Sequence, residues 1–180
     1  MTLEAKATIL AILAVALTIV LQASPRSRIS IEANVVRGFP VMIAVSLASV
    51  ALALIVVGAV SGTLRTHLVQ IAPLVLLLAC LARSRAVIPV AAAAVLSWWL
   101  VTMAAIWLFL LGLSRFLTGR FSPAEIFLTL VIGVACLNGL SASRRAGSLP
   151  LTMSLPTIVL AAGLQSLALW FSYQPIVIGR

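Results

Sequence analysis

Carboxylates are what this chain has least of. Its 180 residues include three, Glu4, Glu32 and Glu125, and no aspartate at all. Intramembrane aspartyl proteases, prepilin peptidases and phospholipid alcohol transferases all need aspartates as acid, base or metal ligand, so the sequence excludes them. Histidine occurs once, as His67, which rules out a haem held by two histidines and any multi-histidine metal site. The only lysine, Lys6, stands ahead of the first apolar run, so no later run offers an amine for a retinal-type Schiff base. Cys80 and Cys136 share no C-x-x-C spacing and fall within apolar runs, the ordinary setting of buried small hydrophobes; a disulfide or a thiol redox site is the other reading. Pairing either thiol with His67 would need a tertiary meeting that the spacing does not supply. Together these absences predict a non-enzyme, with no cofactor and no metal implied.

What is present is apolar. Hydrophobic residues make up 63% of the chain and charged ones 8%, with a mean hydropathy of +1.27. A soluble domain is about half apolar and about a quarter charged, so this chain has too little polar material to cover a globule. Lipid is the solvent such a composition requires. The net charge of +9 would point to nucleic acid in a soluble protein. Here the basic residues sit singly or in pairs between apolar runs, where they meet headgroups, and are not gathered on one face. The expected partners are membrane lipids, anionic headgroups included, and other membrane protein subunits, with no nucleic acid.

A membrane-crossing helix takes about 20 mostly apolar residues. Six segments qualify, approximately 7–21, 39–60, 67–82, 86–113, 123–142 and 150–173. The expected fold is all-α: a single polytopic integral membrane helix bundle of about six transmembrane helices. The first segment resembles a secretory signal, since Lys6 precedes an apolar stretch ending in Leu-Gln-Ala-Ser. Glu4 in the basic region, and Leu21 where a small residue is wanted, favour an uncleaved helix; five crossings is the count otherwise. With six crossings, Arg26, Arg28, Arg37, Arg83, Arg85, Arg144 and Arg145 share one side and Lys6, Arg65, Arg115, Arg120 and Arg180 the other. That balance leans toward both termini lying outside the cytoplasm. The expected location is a bacterial cytoplasmic (inner) membrane.

Ser122-Pro123-Ala124-Glu125 reads as a capping box with proline at the first helical position, and a negative charge there suits the helix dipole. The functional alternative has Glu125 pairing with Arg115 or Arg120, or moving protons or cations. Pro150 suits a first turn, Pro156 falls inside its helix and should kink it, and Pro73 and Pro89 lie near the starts of theirs.

The second segment carries a stripe of small residues, Ala44, Ala48, Ala51, Gly58 and Gly62, which with Ile55 between Ala51 and Gly58 runs at steps of four and three and predicts a close helix-packing face. Gly133, Ala135, Gly139 and Ala142 repeat the pattern in the fifth. Gln70, Asn138 and Gln165 are strongly polar side chains within segments. One reading has each bonded across helices; the other makes them the lining of a ligand pocket with Ser97 and Thr102, bounded by Trp98, Trp99 or Trp107. Trp170, Phe171 and Tyr173 read as an interfacial belt.

In size and number of crossings the chain is similar to the substrate-binding components of energy-coupling vitamin transporters, which are small six-helix membrane proteins. The likeness is one of outline and carries no site residues. Arg37-Gly38-Phe39-Pro40 faintly resembles the opening of a helix in the small membrane subunit of tripartite tricarboxylate transporters, although this chain has more helices. Two functions are therefore expected. The first is a non-catalytic membrane subunit, or an assembly or structural partner of a larger complex. The second is a small transporter, or the membrane component of one, with a polar pocket between helices.

Overall fold

The computed structural model describes residues 3–23, 38–81, 87–114, 121–146 and 150–178. Every regular element among them is an α-helix: α1 (Leu3–Ala23), α2 (Gly38–Val60), α3 (Leu64–Gln70), α4 (Ala72–Leu81), α5 (Val87–Leu110), α6 (Pro123–Arg145), α7 (Leu151–Ser172) and α8 (Pro175–Ile178). Five of these, α1, α2, α5, α6 and α7, are long and apolar enough to cross a membrane.

The segment expected as one helix over 67–82 is two. α3 and α4 pass the same test only as a pair, bent by 42° at the break between Gln70 and Ala72. Pro73 accounts for the bend. It has no amide hydrogen for the carbonyl four residues back, and its ring crowds that carbonyl. The fourth segment ends sooner than expected, at Leu110, where Gly112 takes a φ of +73° and stops the helix. Pro156 is accommodated inside α7, and Pro150 stands one place ahead of it as N-cap.

α5 is the hub, touching α1, α2, α4, α6 and α7. Residues from Ala92 to Trp99 are all buried, as befits a helix that is apolar on every side. Its four consecutive alanines, Ala91 to Ala94, let neighbouring backbones come close. The outer surface carries large hydrophobes: Leu52, Leu160 and Ile176 are 63%, 74% and 81% exposed. Large hydrophobes outside and small residues at the contacts are the arrangement expected where lipid is the solvent.

α2 and α6 make the most extensive helix pair. A Cβ on Gly139 would lie 2.5 Å from Cδ1 of Leu96 and 2.8 Å from Cβ of Ser46, so α2, α5 and α6 meet at a position only glycine can fill. The small-residue face expected on α2 is rotated in the structure. Ala51 and Gly58 are buried and Ala44 is half-buried, whereas Ala48 is exposed and Gly62 lies beyond the helix. The packed face runs instead through Ile43, Ser46, Leu47, Val50, Ala51, Leu54 and Gly58. Gly139 on α6 supplies the gap, so α2 can bring larger side chains into it. Gly58 is itself a close approach, because a Cβ there would stand 3.0 Å from Cβ of His67 and from the Leu64 backbone. Gly62, with φ of +69°, turns the chain from α2 into α3.

Candidate functional site

Three buried polar side chains, Gln70, Gln165 and Ser172, meet at the α3–α4 break. Gln165 of α7 donates from Nε2 to the main-chain carbonyl of Gln70 at 3.0 Å. Gln70 in turn donates from its own Nε2 to Oγ of Ser172 at 3.0 Å, and that hydroxyl donates to the carbonyl of Leu169 at 2.6 Å. Gln165, Leu169 and Ser172 follow a spacing of four and three, which puts them on one face of α7. Gln70, Gln165 and Ser172 are all buried. The Gln165 Oε1 atom is buried with no hydrogen-bond partner.

At the next residue of α7, Trp98 donates from Nε1 to Oγ of Ser166 at 3.0 Å, and Ser166 donates to the carbonyl of Ala162 at 2.9 Å. Trp99 meets Trp98 edge-on, with centroids 5.1 Å apart and planes at 77°. Both indoles are buried, so neither offers a free face to a flat ligand. The Trp99 Nε1 and Ser97 Oγ atoms are buried without partners, while Thr102 donates to the carbonyl of Trp98 at 2.9 Å. Trp107 is half-buried.

Asn138 is elsewhere. It is exposed, in a groove of ≈ 420 Å³ between α2 and α6 that Ser46, Ser49 and Ala135 also line. The structure thus brings Gln70 and Gln165 together and leaves Asn138 apart, so the three amides do not line one cavity. A second groove, of ≈ 490 Å³, opens beside the break between Val69, Pro73 and Leu76 on one side and Leu164, Leu167 and Phe171 on the other. Its walls are entirely apolar side chains.

Ser122 and Glu125 form the expected reciprocal cap. The Ser122 amide donates to Oε2 of Glu125 at 2.6 Å, and the Glu125 amide donates to Oγ of Ser122 at 3.3 Å. Arg115 and Arg120, the alternative partners of Glu125, lie outside the described residues, as do Arg26, Arg28, Arg37, Arg83, Arg85 and Glu32. His67 closes the α2–α3 turn: its Nδ1 is 3.1 Å from both Oγ1 and the carbonyl oxygen of Thr63, and Oγ of Ser61 lies 2.6 Å from that Oγ1. Cys80 and Cys136 are free thiols. Ser166 and Ser172 were not singled out from the sequence. For Ser172 the signal is the seven-residue interval from Gln165, two turns on a single face; Ser166 lies on a different face and has no such signal.

These features define a class: an all-helical chain with five apolar helices long enough to cross a membrane, which suggests a membrane protein. No known family model, curated protein or solved structure matches the chain. The outline likenesses to transporter components accordingly find no counterpart among them.

Proposed function

We propose that the chain is a polytopic integral membrane protein of six crossings. In this reading it is an inner-membrane, non-catalytic subunit or assembly partner of a larger membrane complex. One observation carries the functional part. Gln165, Gln70 and Trp98 direct their N–H groups into helix-to-helix bonds, Gln165 to Gln70, Gln70 to Ser172 and Trp98 to Ser166, while Asn138 faces outward. Such bonds are worth about 0.5–2 kcal/mol each in a membrane and hold helices in register. A binding or catalytic centre would instead have its polar groups converge on a space.

The sixth crossing is the bent α3–α4 pair. α3 follows the C-terminal end of α2 after one turn, and it touches both the C-terminal half of α7 and α8. The ends of α2 and α7 therefore share one end of the bundle. Between those ends the chain runs through α3–α4, α5, α6 and α7, and only an even number of crossings returns it to the same side. Ser46, Leu96 and Gly139 agree, since each lies six to nine positions from the opposite end of the bundle when α2 and α5 run one way and α6 the other. Arg144 and Arg145, in the last turn of α6, suit anionic headgroups there.

Purification in mild detergent from the native host at natural abundance, followed by mass spectrometry, tests the functional reading. A partner protein at fixed stoichiometry is the expected result. A solitary chain carrying a small molecule would overturn it in favour of a small carrier. That second reading has one observation behind it, the helix break at Gln70 beside the unpartnered Gln165 Oε1, because carriers use broken helices to bind substrates and ions.

A further inference from the structure

Asn138 is an amide with no hydrogen-bond partner among the described residues, set in a groove on the outer face of two helices that lipid would surround. It stands seven positions before Arg145, the end of α6, which is about 10 Å along the axis. With a single methylene, its side chain is too short to reach the interface from that depth, as an arginine or lysine would. An amide facing lipid without a partner is costly, and such groups drive helices to associate.

We infer that the α2–α6 groove is the contact face of a twofold dimer, in which Asn138 pairs with Asn138 of a second copy. This rests on the reading that α6 crosses a membrane. Three features favour a second copy over a different protein. An amide is both donor and acceptor, so two identical amides satisfy each other. All copies insert in one orientation, and a twofold axis along the membrane normal brings each residue to its own counterpart at the same depth. A lone polar position then needs no matching polar residue in another sequence. Finally, the groove holds its own complement. Ser46 and Ala135 form a small buried floor, while Phe127, Leu130 and Val134, at 64%, 49% and 58% exposure, form a ridge beside it. Across the axis Val134 of each copy stands at the depth of its counterpart, so the exposed apolar side chains beside Asn138 face one another and are buried together.

The test is oxidative cross-linking of the full chain in membrane vesicles from its host. Val134→Cys places a thiol one turn from Asn138, and Leu160→Cys, on the outer face of α7, is the control. The expected result is a homodimeric disulfide for Val134→Cys, several-fold above both Leu160→Cys and the chain with only its own thiols. Adding Asn138→Leu should lower the yield about fivefold or more, and Asn138→Gln, which keeps an amide, should preserve most of it. Equal yields at the two positions, indifference to Asn138→Leu, or a product with a different protein would each overturn the dimer. Carbonate extraction of the same vesicles separates the two levels. A chain released by carbonate undoes the membrane reading itself, whereas a retained chain that fails to cross-link undoes only the dimer.

Discussion

The side-chain amide of Gln165 donates to the main-chain carbonyl of Gln70, 95 positions earlier in the chain, where the helix breaks. This bond ties the broken pair to α7, and the Gln70 amide returns the tie to Ser172. Replacing Gln165 with leucine should destabilise the fold by about 1–2 kcal/mol, since it leaves a buried carbonyl without its donor. Gln70→Leu and Ser172→Ala together should cost less than the sum of the two alone, because they remove both ends of one bond. Unfolding midpoints in detergent for the two singles and the double give the answer.

Among the described glycines within helices, Gly139 should be the least replaceable. An alanine there must push into Leu96 and Ser46, at a cost of about 1–3 kcal/mol. Gly133 and Gly163 have open space where a Cβ would go, so alanine at either should be neutral or stabilising by up to about 1 kcal/mol through helix propensity. The contrast is read from thermal denaturation of the three variants side by side.

Glu125 sits in a capping box, and glutamine can serve there as well as glutamate. Glu125→Gln should therefore leave stability within about 0.5 kcal/mol of the parent. Ser122→Ala should lose about 1 kcal/mol with the cap. A severe functional defect from Glu125→Gln with the fold intact would instead mark the carboxylate as a working acid.

The parity of crossings has a direct readout. With six, Ser61 and Gln174 lie on the same side of the membrane; with the bent pair folded back as a re-entrant loop, they lie on opposite sides. Single cysteines at these two positions, in a chain lacking Cys80 and Cys136, should react together with an impermeant thiol reagent added to one side. Reaction of only one would remove the sixth crossing.

Positions on helices were legible from the residues to different degrees. The five long apolar runs and the Ser122–Glu125 cap depend on local rules, hydropathy over about 20 residues and the geometry of one turn, and these act without knowledge of the rest of the chain. The break at Pro73 was half legible: the proline was evident, but near a helix start it is also compatible with an unbroken helix. The face of α2 was legible in part: Ala51 and Gly58 lie on it and Ala48 does not, because the gap facing α6 is opened by Gly139, while Gly58 makes its close approach to α3.

Composition and the length of the apolar runs by themselves determined that the chain is helical and that its helices are apolar enough for a membrane, because transfer free energies sum along a run and a backbone in lipid must bond within itself. Which polar side chains meet was decided only by tertiary structure. Gln70, Asn138 and Gln165 carry the same amide group, so nothing in their chemistry sorts them. Helix rotation and the bend at Gln70 turn two of them inward to bond and leave the third facing outward. Those angles are set by how the surfaces of several helices fit at once.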